Sequence, residues 1–95
     1  MRVSLTNAVP KIYEIFNESA LTISAFPDAA STLLVEFTVS SEADIKAGVA
    51  LFQVWGKGPI TAATTDFFPA PISALRLSAT AGTGTIEYLG LRDDK

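Results

Sequence analysis

Carboxylates are the only side chains in this chain that could move protons in a hydrolysis. The 95 residues contain no histidine and no cysteine. The commonest general base and metal ligand is therefore missing, as are thiolate nucleophiles, thiolate metal sites and disulfides. Glu14, Glu18, Glu36, Asp44, Asp66 and Glu87 could supply the two carboxyl groups of a glycoside hydrolase, one as acid and one as base or nucleophile. Their spacing selects no pair, and most fall on polar faces or in turns, where a carboxylate is simply hydrated. Asp28, Glu42 and Asp44 lie in loops that could hold calcium, but the alternating oxygen ligands around a central glycine are absent. Gly56-Lys57-Gly58-Pro59 has the look of a phosphate loop without its spacing. Pro59 follows the second glycine and a β-rich run comes next, so the segment reads as a hairpin turn with a charged tip. Ser73 and Thr83 have no base to activate them. These readings leave no catalytic residue, no metal site and no cofactor to expect.

Recognition chemistry is better represented. Trp55, Phe67 and Phe68 are aromatics near turns, able to stack on sugar rings or fill a partner's pocket. Each has a structural reading beside the functional one. Trp55 would close one end of a core. Phe67 and Phe68 are neighbours in an extended segment and point to opposite sides, so one belongs to the core and the other is available for contact. Arg76 alternates with Leu75 and Leu77 and belongs on an outer face. There it pairs either with a carboxylate of a neighbouring subunit or with Glu87 across a hairpin.

The elements that must position these residues are strands. Residues 72–91 carry the clearest pattern: Leu75, Leu77 and Ala79 alternate with Arg76 and Ser78, then Ala81-Gly82-Thr83-Gly84 offers a turn, and a second run follows. That reads as a closing β-hairpin. Residues 2–6 form a first strand, and residues 11–16 a second, since Pro10 and Asn17-Glu18-Ser19 leave too little room for a stable helix. Residues 20–26 place Leu21 and Ile23 on one face. Residues 32–40 place Leu33, Val35, Phe37 and Val39 on one face and Leu34, Glu36, Thr38 and Ser40 on the other. Residues 43–47 can make one helical turn, stopped by Gly48. Residues 49–55 are apolar on both faces, which predicts a central strand or one whose outer face meets a partner. Residues 60–65 form a weaker strand, and 66–71 an extended loop held open by its prolines. About eight short strands at roughly ten-residue spacing predict an all-β fold, a small antiparallel β-sandwich of jelly-roll type. An immunoglobulin-like Greek-key sandwich is the alternative. No linker or repeat divides residues 1–95, so one domain is expected.

Composition limits the partners. The net charge is −3 with no basic run, so nucleic acid is not an expected ligand. No apolar stretch approaches the roughly 20 residues of a helical membrane span, and the opening Met-Arg-Val-Ser-Leu-Thr-Asn lacks the apolar core of an export signal. The tail Arg92-Asp93-Asp94-Lys95 is expected to be a frayed, solvated end. Charged residues make up only 18%, against an ordinary share of about 25%. Either another subunit covers part of the surface, or a Thr/Ser-rich sheet exterior meets water.

The C-terminal forty or so residues also carry a resemblance. Asp66-Phe67-Phe68-Pro69-Ala70-Pro71, the Ala74-Leu75-Arg76-Leu77 strand and Gly82-Thr83-Gly84-Thr85 together resemble small β-sandwich structural proteins of tailed-bacteriophage virions, such as capsid decoration proteins and head–tail or fibre accessory proteins. The resemblance implies a non-enzymatic virion structural protein, assembled in the host cytoplasm, with no catalytic residues to carry over. It implies as partner the major capsid protein or another virion structural protein, bound in multiple copies as a homo-oligomer; the contact residues expected from the residues themselves are Trp55, Phe67, Phe68 and Arg76. The alternative from the residues themselves is a carbohydrate-binding module with Trp55 and one of Phe67 or Phe68 as its platform.

Overall fold

A computed structural model describes residues 2–7, 9–15, 18–68 and 72–92, with side chains except at 18–20, 68, 91 and 92. Phe16, the Pro69-Ala70-Pro71 part of the expected loop, and the tail beyond Arg92 lie outside the described residues. Within them run β1 (Arg2–Thr6), β2 (Lys11–Glu14), β3 (Glu18–Pro27), β4 (Thr32–Thr38), α1 (Glu42–Ala47), β5 (Gln53–Val54), β6 (Thr64–Phe68), β7 (Ala74–Ala81) and β8 (Thr83–Arg92). They pair into two four-stranded antiparallel sheets. Sheet A has the order β1-β8-β3-β6 and sheet B the order β2-β7-β4-β5. Successive described strands lie in opposite sheets, except that β4 reaches β5 within sheet B through α1. This is the jelly-roll topology, not the strand order of an immunoglobulin-like sandwich.

Period-two patterning builds the core. Leu5, Ile23, Leu33, Val35, Leu75, Leu77 and Ile86 are all under 2% exposed between the sheets. Burying each such side chain contributes about 1.5–3 kcal/mol, which lets a small sandwich hold without a disulfide. Tyr13 and Tyr88 close one edge of this core, their ring centroids 6.1 Å apart.

The closing hairpin does not form. β7 pairs with β2 and β4, and β8 with β1 and β3. The turn at Gly82 instead carries the chain from the middle of sheet B to the middle of sheet A. The two strands face each other across the core, so their apolar sides meet without a shared ladder. Gly82 makes the crossing possible: its φ is 71°, and any Cβ there would overlap Ser31 Oγ. The Thr83 amide donates to that same hydroxyl at 3.0 Å, and Asp28 N–H donates to the Thr83 carbonyl at 3.0 Å. The β3–β4 and β7–β8 turns are thereby tied together.

The middle of the chain also departs from its pattern. Residues 49–55 form no central strand. Only Gln53 and Val54 join the ladder, at the end of sheet B, and Val49, Leu51 and Val54 are exposed. The Gly56–Pro59 segment is no hairpin turn either. Trp55 N–H donates to the Val35 carbonyl, and Ile60 then exchanges both bonds with Leu33, so the segment bulges out between two contacts with the same β4. The next strand begins at Thr64 and takes in Asp66, Phe67 and Phe68, which were expected in a loop. Thr38, expected on a polar face, is buried, because the returning chain covers it: its hydroxyl donates to the Leu51 carbonyl at 2.7 Å and accepts from Ser40 N–H at 3.1 Å. The helical turn does form. Ser41 caps α1 by accepting from Asp44 N–H at 3.2 Å, and Gly48 ends it in the left-handed region.

Candidate interaction surface

Residues opposite each other in an antiparallel ladder share a face, so the register alone assigns the outer surfaces. On sheet A, Phe67 is opposite Thr22 and Thr22 is opposite Leu89. The next row runs Thr65, Ser24, Glu87, Arg2, and a third holds Phe26, Thr85 and Ser4. Phe67 is 60% and Leu89 76% exposed. With strands about 4.8 Å apart, the two stand roughly 10 Å apart across Thr22. The polar row beside them is satisfied internally. Ser24 and Thr65 share a 2.8 Å hydroxyl hydrogen bond, and Arg2 Nε donates to Glu87 at 2.6 Å. Arg2 and Glu87 are well exposed, so that ion pair contributes at most about 1 kcal/mol. Phe26, 43% exposed, lies on the other side of the polar row. The outer face of sheet A is thus a shallow, mostly neutral surface with apolar groups on both sides of one charged pair.

On the outer face of sheet B the charged side chains satisfy each other, while Ile12 and Val54 stand exposed beside them. Ile12, Arg76, Glu36 and Val54 form one row. Arg76 reaches Glu36 with Nε at 3.0 Å and Nη2 at 2.7 Å, and its guanidinium lies 4.3 Å from the centre of the Phe52 ring. The hydrogen bond from Glu36 raises the Arg76 pKa above its already high ordinary value, against the opposing effect of partial burial. Arg76 was expected to pair with a neighbouring subunit or with Glu87. The pairing with Glu87 does not form, because Glu87 belongs to the other sheet and Glu36 is the direct ladder partner of Arg76.

The four expected contact residues therefore do not converge. Phe67 stands on sheet A's outer face and Arg76 on sheet B's. Trp55 is 7% exposed and packs in the core, so its ring is not offered to a ligand. Phe68's side chain lies outside the described residues. Leu89 joins Phe67 although the sequence reading passed over it. Its signal was present: in Thr85-Ile86-Glu87-Tyr88-Leu89 the inward positions are 86 and 88, so Leu89 is an apolar residue on the polar side of the alternation.

The carboxylates are dispersed as well. Glu36 pairs with Arg76, Glu87 with Arg2, Glu42 with Lys46, and Asp66 with Lys57 at 2.7 Å. Asp66 is held below its ordinary pKa by the Lys57 ammonium and by the Phe67 N–H. Glu36 and Glu87 sit on opposite outer faces, and among the described residues no group of three or more acidic side chains could hold a metal ion. No protein-family model, curated protein or solved structure matches this chain.

Proposed function

We propose that this chain is a non-enzymatic structural protein of a tailed-bacteriophage virion. In this reading many copies seat on the capsid shell, with the major capsid protein as partner, or on a neighbouring head–tail or fibre component. The outer face of sheet A is the docking surface. The observation that carries the reading is the Phe67–Thr22–Leu89 row, where two large apolar side chains stand in water beside a polar row that has already satisfied itself. Such a surface gains by meeting a partner and has few hydrogen bonds to lose in doing so. Jelly rolls are an architecture of viral capsid domains as well as of lectins, which is support by analogy of fold only. The C-terminal resemblance points the same way. A glycan platform built on Trp55 with Phe67 would need both rings exposed, and Trp55 is buried in the core.

The test is co-sedimentation of purified protein with particles, followed by cryo-electron microscopy. Density for many copies on the shell is the expected result. A Phe67→Ser/Leu89→Ser variant should bind roughly 5- to 30-fold more weakly, at about 1–2 kcal/mol for the pair. Its stability should change by less than about 0.5 kcal/mol per exposed site. Purified particles that lack the chain, together with retention of the isolated protein on a polysaccharide column, would overturn the proposal.

A further inference from the structure

The open edge of sheet B is the second unusual surface. Residues 49–55, Val-Ala-Leu-Phe-Gln-Val-Trp, carry no charge and no proline, and their composition is that of a strand buried on both sides. Yet only Gln53 and Val54 of them form β5, the last strand of sheet B, and Leu51 is 82% exposed. Natural proteins blunt an edge with charge, proline or a very short strand; residues 49–55 have no charge and no proline, and the shortness of β5 is their one such device.

The hydrogen-bond pattern shows which backbone groups are open. Trp55 N–H donates to Val35, so the 35–55 pair is a bonded pair of the ladder. By alternation, Gln53 bonds to Phe37 and Val54 does not bond to Glu36. Leu51 continues the inward set, with its amide on Ser40 Oγ and its carbonyl on Thr38 Oγ1. The N–H and C=O groups of Phe52 and Val54 therefore point away from β4, past the end of the sheet.

We infer that this edge pairs with the same edge of a second copy, antiparallel, about a two-fold axis at Gln53. In that register Phe52 of one copy is opposite Val54 of the other, twice by symmetry, and each pair exchanges both backbone bonds. Sheet B then continues through the contact into its copy. Side chains and charges permit it. Phe52 lies beside Val54 on one face and Leu51 beside Trp55 on the other, the aromatic–aliphatic neighbours that stabilise a sheet. Like charges do not meet along the paired segment, since residues 49–55 carry none. A second copy is the occupant because a neutral edge with equal numbers of outward donors and acceptors is complementary to itself under a two-fold. The contact is short, well below the roughly 800 Å² per partner of a standard stable interface. It therefore belongs to copies held close together, with a dissociation constant in the micromolar range or weaker.

The inference deepens the proposed assembly role, and rests on it only in that copies meet. Sedimentation equilibrium of the full chain from about 10 μM to 1 mM is the test, with backbone amide exchange read at the same concentrations. Wild type should dimerise with concentration, and the amides of Phe52 and Val54 should become protected as it does. Val54→Pro removes only an outward N–H and leaves the β4 ladder whole, a position where an edge strand tolerates proline. It should weaken the dimer by about 30-fold or more with an unchanged circular dichroism spectrum. Leu51→Glu, at a side chain already in water, should do the same should the proline disturb the fold. A monomer at 1 mM, or dimerisation of both variants as strong as wild type, refutes the inference. Monomers that still decorate particles would refute it and leave the assembly role standing; dimers that bind no particle would do the reverse.

Discussion

Arg76 gives the sharpest test of how this sandwich is held together. Replacing it with alanine removes two charge-assisted hydrogen bonds to Glu36, at 3.0 and 2.7 Å, and the stacking on Phe52 at 4.3 Å. The side chains of Arg76 and Glu36 are 34% and 16% exposed. The pair therefore lies between a surface bridge, at about 0–1 kcal/mol, and a fully buried one at about 3–5 kcal/mol. Discounting for solvent, the bidentate pair contributes about 1–2 kcal/mol and the cation–π contact about 0.5–1 kcal/mol. The expected loss is about 1.5–3 kcal/mol, a fall in Tm on the order of 6–24 °C for a domain of this size. The assay is urea denaturation of wild type, Arg76→Ala, Glu36→Ala and the double variant. The cycle should return a coupling of about 1–2 kcal/mol, the same at low and high protein concentration because both partners are in one chain. A second cycle with Glu87→Ala in place of Glu36→Ala should return a coupling near zero. A Glu36 coupling below about 0.3 kcal/mol, the ordinary error of additivity, would refute the reasoning. So would a coupling that grows with protein concentration, which would restore Arg76 to a contact between subunits.

Two further predictions concern the turns. Gly82→Ala should destabilise the fold by about 2–4 kcal/mol, from a left-handed backbone that alanine resists and from loss of the Ser31 hydroxyl's place against the Thr83 amide; adding Ser31→Gly should recover the steric part alone, read as a partial return of the urea midpoint. Asp66 is held below its ordinary value of 3.8, so it favours the folded state above that value, and the contribution disappears as pH falls through the lower folded pKa. The gap in Tm between wild type and Asp66→Asn should therefore be constant from pH 8 to 5 and close below about pH 4; a gap that does not change with pH would count against the Lys57 pairing.

The alternation in residues 2–6, 20–26, 32–37 and 74–79 was legible because a strand with one side on a core repeats every second residue, whatever lies opposite it. The same local rules placed a helical turn at residues 43–47 with Gly48 to end it, while the Ser41 cap shows only in the structure. The absence of histidine and cysteine narrowed the chemistry before any fold was known. Pairing was not legible. The strands on either side of Gly82 fit a hairpin or a crossing between sheets equally well, and the choice rests on β2, β4, β1 and β3, distant in the chain, competing successfully for their backbone bonds. For the same reason the sequence left Arg76 between Glu87 and a neighbouring subunit, while the register set it beside Glu36. Residues 49–55 show the limit most plainly: composition marked them as apolar on both faces, but only the tertiary structure decided that one side is an open edge. Local pattern is written by side chains touching water or core, whereas register and sheet order are settled by contacts between segments that no stretch of sequence contains on its own.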